Sequence, residues 1–308
     1  MPNVFYQPDH REIETPSQHT ILETSLKNEI PHIHVCGGNA RCSTCRVMVV
    51  EGYESLLPRN EKEQAMADRL HFPPNIRLAC QTPVSADIAL RRLVLDEEDI
   101  AVTEQHGSKD NSTAHLGSAG VEMHMAVMFA DIRNFTRFSE SHVPYDVVHL
   151  LNRYFHRIGG VIRRNHGYID NYLGDGIMAL FGVEGHEATA AYDAVKAGLE
   201  MLEAVEEMRP YVQEVHNWDL EIGVGIHYGI VVVGSLGERG HNRETAIGDS
   251  VNFASRIESQ NKEVGTRLLI SRDTLLEMDC DVTIGQTCVV TIKGKSGEYT
   301  VYEVLDMK

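Results

Sequence analysis

Four cysteines near the start of the chain are spaced for metal chemistry. Cys36, Cys42 and Cys45 follow a C-x5-C-x2-C pattern, and Cys80 lies 35 positions beyond Cys45. Thiolates gathered in this way suit zinc or an iron–sulfur cluster. The intervening Gly37-Gly38-Asn39-Ala40-Arg41 is small and glycine-rich. Such a loop lets backbone N–H groups turn toward sulfur, and those hydrogen bonds tune the potential of an iron–sulfur centre. A zinc site more often uses two matched pairs, whereas here a close triplet joins a distant single.

A second set of residues carries oxygen ligands. Asp131 ends the apolar run Val127-Met-Phe-Ala130, and Asp175 sits in the turn Leu173-Gly-Asp-Gly176. Phosphoryl chemistry with divalent metal needs hard oxygen ligands at the ends of rigid elements. Side by side, the two carboxylates would bridge a pair of ions about 3.5–4 Å apart. Taken singly, an Asp after a strand is usually a cap or turn residue. Asn252 and Arg256 are four apart and share a helix face, where an amide and a guanidinium can meet a ribose and a phosphate together. The ordinary outcome for such a pair is a solvated polar face.

The elements that must position these groups can be read from periodicity. Strand character is expected at Val4–Tyr6 and Glu12–Thr15, then a helix at Ile21–Lys27 opened by Thr20 with Glu23 as capping-box partner. The cysteine loop runs into a strand at Arg46–Val50. Residues 96–120 include a small, polar stretch with the composition of a linker. Beyond it the order is strand, helix, strand, strand, helix, strand: Met125–Ala130, Val147–Arg164, Gly167–Leu173, Ile177–Phe181, Ala188–Met208 and Ile222–His227. Ile222–His227 and Ile230–Val233 are expected to form a hairpin. Ser250–Gln260 reads as a helix, Leu268–Ser271 as a strand, and strands alternate from there to Val304.

The chain has 308 residues, 42% hydrophobic and 24% charged, which fits two globular domains. Its formal net charge of -17 leaves no cationic excess for nucleic acid or for a basic membrane-docking surface. No apolar run approaches the roughly 20 residues needed to cross a bilayer, and the first residues lack a secretory pattern, so the cytosol is the expected location. Structural disulfides are not expected there. Cys280 and Cys288 are expected to be buried, inert thiols, and His32 and His34 packing or surface residues.

Two resemblances follow from longer motifs. Ile21-Leu-Glu-Thr-Ser-Leu26, Ile30-Pro-His-Ile-His-Val-Cys-Gly-Gly-Asn-Ala-Arg-Cys-Ser-Thr-Cys45 and Arg77-Leu-Ala-Cys80-Gln resemble a [2Fe–2S] ferredoxin, on the adrenodoxin side of that family by its x5 spacing. The resemblance implies a β-grasp fold over residues 1–95 and a one-electron cluster held by Cys36, Cys42, Cys45 and Cys80. Phe129-Ala-Asp-Ile-Arg-Asn-Phe-Thr136, Asn171-Tyr-Leu-Gly-Asp-Gly-Ile-Met-Ala-Leu-Phe181 and Thr245-Ala-Ile-Gly-Asp-Ser-Val-Asn-Phe-Ala-Ser-Arg-Ile-Glu258 resemble the catalytic domain of class III adenylate and guanylate cyclases. The expected architecture is therefore α+β, a β-grasp domain followed after a 96–120 linker by a ferredoxin-like βαββαβ domain over 121–308.

The cyclase resemblance also implies roles. Asp131, Asp175 and the carbonyl of Ile132 would hold two Mg²⁺ or Mn²⁺ ions, Asn252 would orient the ribose, and Arg256 would stabilise charge on the α-phosphate. Lys293 matches a phosphate-binding lysine, and Arg239 or Arg243 would hold the β- or γ-phosphate. In this family one site takes its aspartates and its Asn/Arg pair from different subunits, so a homodimer is expected. The sequence departs from the adenylate cyclase pattern at Asn171, where the family usually has Lys reading adenine N1. Thr245 keeps the usual partner of the adenine amino group, and guanylate cyclases place Glu and Cys at these two positions. ATP is therefore the expected substrate, with conversion to cyclic AMP and pyrophosphate. GTP, or an electron carrier using an inactive cyclase domain for dimerisation, are the alternatives. Nothing in the sequence explains Glu244 where an aromatic residue is common. Fusion to a one-electron centre implies redox modulation and an electron-transfer partner.

Overall fold

Thr20 starts the first helix as its pattern requires. Its hydroxyl accepts from the Glu23 N–H, and the Glu23 carboxylate accepts from the Thr20 N–H. In the computed structural model of the chain, residues 1–7, 9–93, 120–183, 185–236, 243–291 and 297–308 are described. Two units form, Met1–Gly120 with Gly234–Arg243, and Val121–Val233 with Glu244–Lys308.

The first unit holds β1 (Asn3–Gln7), β2 (Arg11–Glu14), α1 (Ile21–Lys27), β3 (Arg46–Glu51), α2 (Glu61–Leu70), β4 (Ile76–Leu78) and β5 (Ile88–Arg92). The sheet order is β2-β1-β5-β3-β4, with β1 and β5 parallel and the other pairs antiparallel. This is the β-grasp arrangement, with α1 laid on the sheet. Val4 and Tyr6 alternate inward from β1 and meet Ile21, Val47, Leu78 and Leu90 in the core. The sequence pattern does not announce α2, because its buried side chains are only Glu63 and Ala67. Glu63 pairs with Arg77 through two 2.9 Å contacts and accepts from the Leu78 N–H at 2.8 Å. A buried ion pair of this kind persists because its hydrogen bonds are satisfied, and it fixes β4, which leads into Cys80.

The second unit begins with β6 (Val121–Ile132), α3 (Phe135–Ser141), α4 (Pro144–Arg164), β7 (Tyr168–Leu173), β8 (Gly176–Phe181), α5 (Ala190–His216) and β9 (Ile222–Leu236). It continues with β10 (Arg243–Ile247), α6 (Asp249–Val264), β11 (Leu268–Ser271), α7 (Arg272–Leu276), β12 (Val282–Thr291) and β13 (Glu298–Met307). The sheet order is β12-β13-β11-β9-β6-β8-β7, with β10 beside β9. The run β6-α4-β7-β8-α5-β9 is the expected βαββαβ unit, with strand order β9-β6-β8-β7.

Period-two alternation decides what each face carries. Ala126, Met128, Ala130 and Ile132 of β6, with Ile222, Val224 and Ile226 of β9, face a core shared with α4 and α5. The opposite face takes α6, and Asp131 stands on it beside Gly223, its cross-strand partner. The hairpin expected around Gly229 does not form. β9 is one strand that pairs with β6 along Val121–Ile132, and its glycines make room rather than turns. A Cβ on Gly225 would lie 2.1 Å from the Glu258 nitrogen, and one on Gly229 2.6 Å from Ser250 Oγ. α5 also continues through Pro210 to His216, because Val212 still belongs to the core.

Candidate active site

The cysteine loop folds as its glycines suggest. Gly37, Gly38 and Ala40 all adopt positive φ, at 67°, 85° and 56°, and this curls the backbone around the sulfurs. Burial raises the Cys36 thiol, but a hydrogen bond with Cys42 and the N–H groups of Arg41, Asn39 and Cys42 outweigh it and hold Cys36 below its ordinary value. Cys45 Sγ donates to Cys80 Sγ across 3.5 Å. That contact pulls Cys80 down to about 6 and pushes Cys45 upward, so the pair holds one proton between two sulfurs. Four reduced sulfurs, two of them in contact and surrounded by backbone donors, fit a [2Fe–2S] cluster. His32 is buried but reaches Ser25 Oγ and the Cys45 carbonyl rather than a sulfur. Cys280 and Cys288 are half-buried instead of fully buried. Burial, then Asp281 and Asp279, push the Cys280 thiol up.

In the second unit, β6 and the β7–β8 turn deliver Asp131 and Asp175 to one place. The Asp175 carboxyl is close enough to act on that of Asp131, and Asp131 Oδ1 lies where a Cβ on Gly176 would approach to 3.2 Å. Burial, then the charge and hydrogen bond of Asp175, push Asp131 up to about 6, while Arg133 and the Ile132 N–H oppose the shift. Ile132 is buried at the end of β6.

Two residues that the motifs do not single out complete the cluster. Glu258 reaches in from the buried face of α6, with Arg133 Nη1 3.3 Å from its Oε1. Burial pushes Glu258 up to about 7. Arg133 opposes this, and Asp131 and Asp175 add to it. The Tyr154 hydroxyl is fully buried without a hydrogen-bond partner among the described residues. Burial, then Asp131, Asp175 and Glu258, hold it above its ordinary value. Three carboxylates against one guanidinium, with an orphaned hydroxyl within their field, form a donor set that divalent cations would satisfy.

A cavity of about 870 Å³ opens beside the pair, lined by Asp131, Arg133, Thr136, Asp175, Glu221 and Lys262 among others. Neither Asn252 nor Arg256 is among its lining residues. Asn252 is exposed and Arg256 half-exposed on the outer side of α6, while Phe253, Ile257 and Glu258 face inward. The expected Asn/Arg pair therefore shares a face, but within one chain that face does not join the acidic pair.

Asn171 and Thr245 are linked through a residue between them in space. A register shift in β7 lies between Ile169 and Asn171, and Asp170, in the bulge, accepts a 2.8 Å hydrogen bond from the Thr245 hydroxyl. Neither spacing nor periodicity could show this contact across 75 positions. Arg243 opens β10 at an exposed position. Lys293 and Arg239 lie outside the described residues, as does nearly all of the 96–120 linker.

A βαββαβ sheet that brings Asp131 and Asp175 together over a polar cavity fits a nucleotidyl cyclase domain. The chain belongs to the adenylate and guanylate cyclase catalytic domain family, whose model matches residues 120–305, and residues 4–85 match the 2Fe-2S iron-sulfur cluster binding domain. An adenylate cyclase of Anabaena cylindrica is 33% identical over 183 residues, 58% of this chain and 36% of that protein. The crystal structure of the guanylyl cyclase Cya2 is similar at a TM-score of 0.58 and 33% identity, over 61% of this chain and 95% of that one. The adenylyl cyclase CyaB from P. aeruginosa is similar at 0.55 and 28%, over 61% and 96%. The chain spans 9–36% of the length of three curated relatives that it matches. No described helix is long and apolar enough to cross a membrane.

Proposed function

We propose that the chain converts ATP to 3′,5′-cyclic AMP and pyrophosphate in a homodimer, at sites built from two copies, under modulation by its [2Fe–2S] cluster. The working division is a ferredoxin domain at 1–95, a linker at 96–120 and a cyclase domain at 121–308.

The choice of ATP is carried by the Thr245–Asp170 hydrogen bond. Because Thr245 spends its proton on Asp170, its oxygen offers lone pairs outward. An acceptor there matches the exocyclic amino group of adenine and is mismatched to the carbonyl oxygen of guanine. Asn171 donates its NH₂ to adenine N1 in place of the family's lysine.

In the reaction the ribose 3′-oxygen bonds to the α-phosphorus, the bond to the pyrophosphate oxygen breaks, and the 3′-hydroxyl proton passes to solvent or the departing pyrophosphate. Bound Mg²⁺ or Mn²⁺ supplies Lewis-acid polarisation and charge neutralisation. Asp131, Asp175 and the Ile132 carbonyl hold those ions, and Arg133 with Glu258 keeps the Asp131 side of the cluster in place. Asn252 of one copy orients the ribose, and Arg256 donates to the α-phosphate as negative charge grows on it. Lys293 and Arg243 or Arg239 bind the remaining phosphates.

The incomplete cavity of the single chain makes this testable by mixing. Asp131→Ala and Arg256→Ala variants should each lose cyclic AMP formation. Mixed dimers would retain one intact site, so re-paired equal mixtures should recover about a quarter of the parental rate. With Mn²⁺, ATP should exceed GTP by about tenfold or more. A mixture as dead as its components, or a preference for GTP, would reject the reading.

A further inference from the structure

The β7–β8 hairpin carries Asp175 at its tip. At its other end, roughly 17–20 Å away for strands of this length, three potential ligands converge. His166 stands in the turn between α4 and β7, His186 in the loop between β8 and α5, and Asp193 in the first turn of α5. One ligand atom from each lies within 4.8 Å of the other two. The two imidazoles are stacked with centroids 3.9 Å apart and planes 8° from parallel. Asp193 is 6% exposed, and its Oδ2 accepts from Thr189 Oγ1 at 2.7 Å and contacts His166 Nδ1 at 3.2 Å.

We propose that His166, His186 and Asp193 bind one divalent transition-metal ion of the zinc type, at a site separate from Asp131 and Asp175 and independent of the nucleotide chemistry. Two imidazoles and a carboxylate are the ligand types that zinc takes, and a three-ligand set leaves a fourth position for water. Tetrahedral bonds of about 2.0–2.1 Å place neighbouring ligand atoms about 3.3 Å apart. The His166–Asp193 contact already has nearly that length, so an ion can replace the proton between them with little movement. The parallel stack must give way, with the His186 ring swinging so that its nitrogen points at the ion. Thr189 supplies the outer hydrogen bond that orients the carboxylate, as partners of metal ligands commonly do. His166 is half-exposed, which leaves a path for entry. The ion would tie the end of α4 to the start of α5 and brace the hairpin from the end opposite its catalytic turn.

The full chain with its cluster intact should be equilibrated in magnesium buffer with micromolar free zinc, then assayed for zinc, iron and sulfide. The parent should hold one zinc per chain more than a His166→Gln/His186→Gln variant, with iron and sulfide equal in both. Any zinc at Asp131 and Asp175 or on stray thiols is common to the two and cancels. Equal zinc contents would overturn the proposal. Should the variant fold poorly, zinc K-edge absorption of the parent decides alone. Oxygen and nitrogen neighbours with imidazole scattering are expected, and a shell without imidazole would overturn the site.

Discussion

At the scale of single residues, the acidic pair is defined by competition for the same oxygens. Burial and the neighbouring Asp175 raise Asp131 to about 6, so below that pH a proton occupies the position a cation would take. A raised carboxyl value means that protonation sets in as pH falls through about 6, and metal affinity must fall with it. The Mn²⁺ concentration for half-saturation, followed by electron paramagnetic resonance of free Mn²⁺, should be level above pH 7. Below pH 6 it should climb toward about tenfold per unit. A constant value from pH 5 to 8 would show that Asp131 does not hold the ion. That Asp131 and Asp175 stand side by side was signalled by the long motifs around them, since singly each reads as a cap or turn residue. Arg133, Glu258 and Asp170 were not, since each acts through a partner far along the chain: Glu258 lies 125 positions beyond Arg133, and no local pattern records such a meeting.

At the scale of elements, what the sequence revealed depended on whether the signal was local. α1 was legible to its ends because the Thr20–Glu23 box is a local device, and the β7–β8 turn because Gly174 adopts the positive φ that the turn needs. α2 has no such signal, because an almost wholly exposed helix has no apolar stripe to read. β9 is one strand where a hairpin is expected, because glycine signals both a turn and a close approach, and only the packing of α6 separates the two. This gives a contrast between two glycines. At Gly225 a methyl group would meet the Glu258 backbone at 2.1–2.5 Å, whereas at Gly160 it meets nothing within 4 Å. Gly225→Ala should therefore push α6 off the sheet, lowering stability by about 1–3 kcal/mol. It should lower cyclase rate by a larger factor, because α6 carries Asn252, Arg256 and Glu258. Gly160→Ala, inside α4, should leave stability equal or raise it by up to about 1 kcal/mol. Urea unfolding of the two variants checks both, and a Gly225→Ala protein as stable as its parent would mean that α6 does not rest on that strand.

At the scale of the whole molecule, the chemistries proposed for the two halves do not need each other. Closing the ribose–phosphate ring transfers no electron, and a one-electron centre binds no nucleotide. Their presence on one chain makes sense if the state of one biases the other, which requires a coupling free energy between the two sites. One electron is a small perturbation in a chain of formal charge -17 unless it acts at short range, through the hydrogen bonds that the cysteine loop directs at its sulfurs. Loss of a cluster held there would be a larger perturbation, since Gly37, Gly38 and Ala40 would keep their curled backbone around nothing. Couplings of about 1–3 kcal/mol correspond to about 5–150-fold changes, so cyclic AMP formation should differ at least about fivefold between the oxidised and dithionite-reduced forms. The cluster-free form should match neither. A Cys36→Ser protein lacking the cluster serves as the control for dithionite itself, and its rate should not respond to the reductant. If oxidised, reduced and cluster-free proteins turned over ATP at one rate, the ferredoxin half would have to act on something other than the cyclase beside it in sequence.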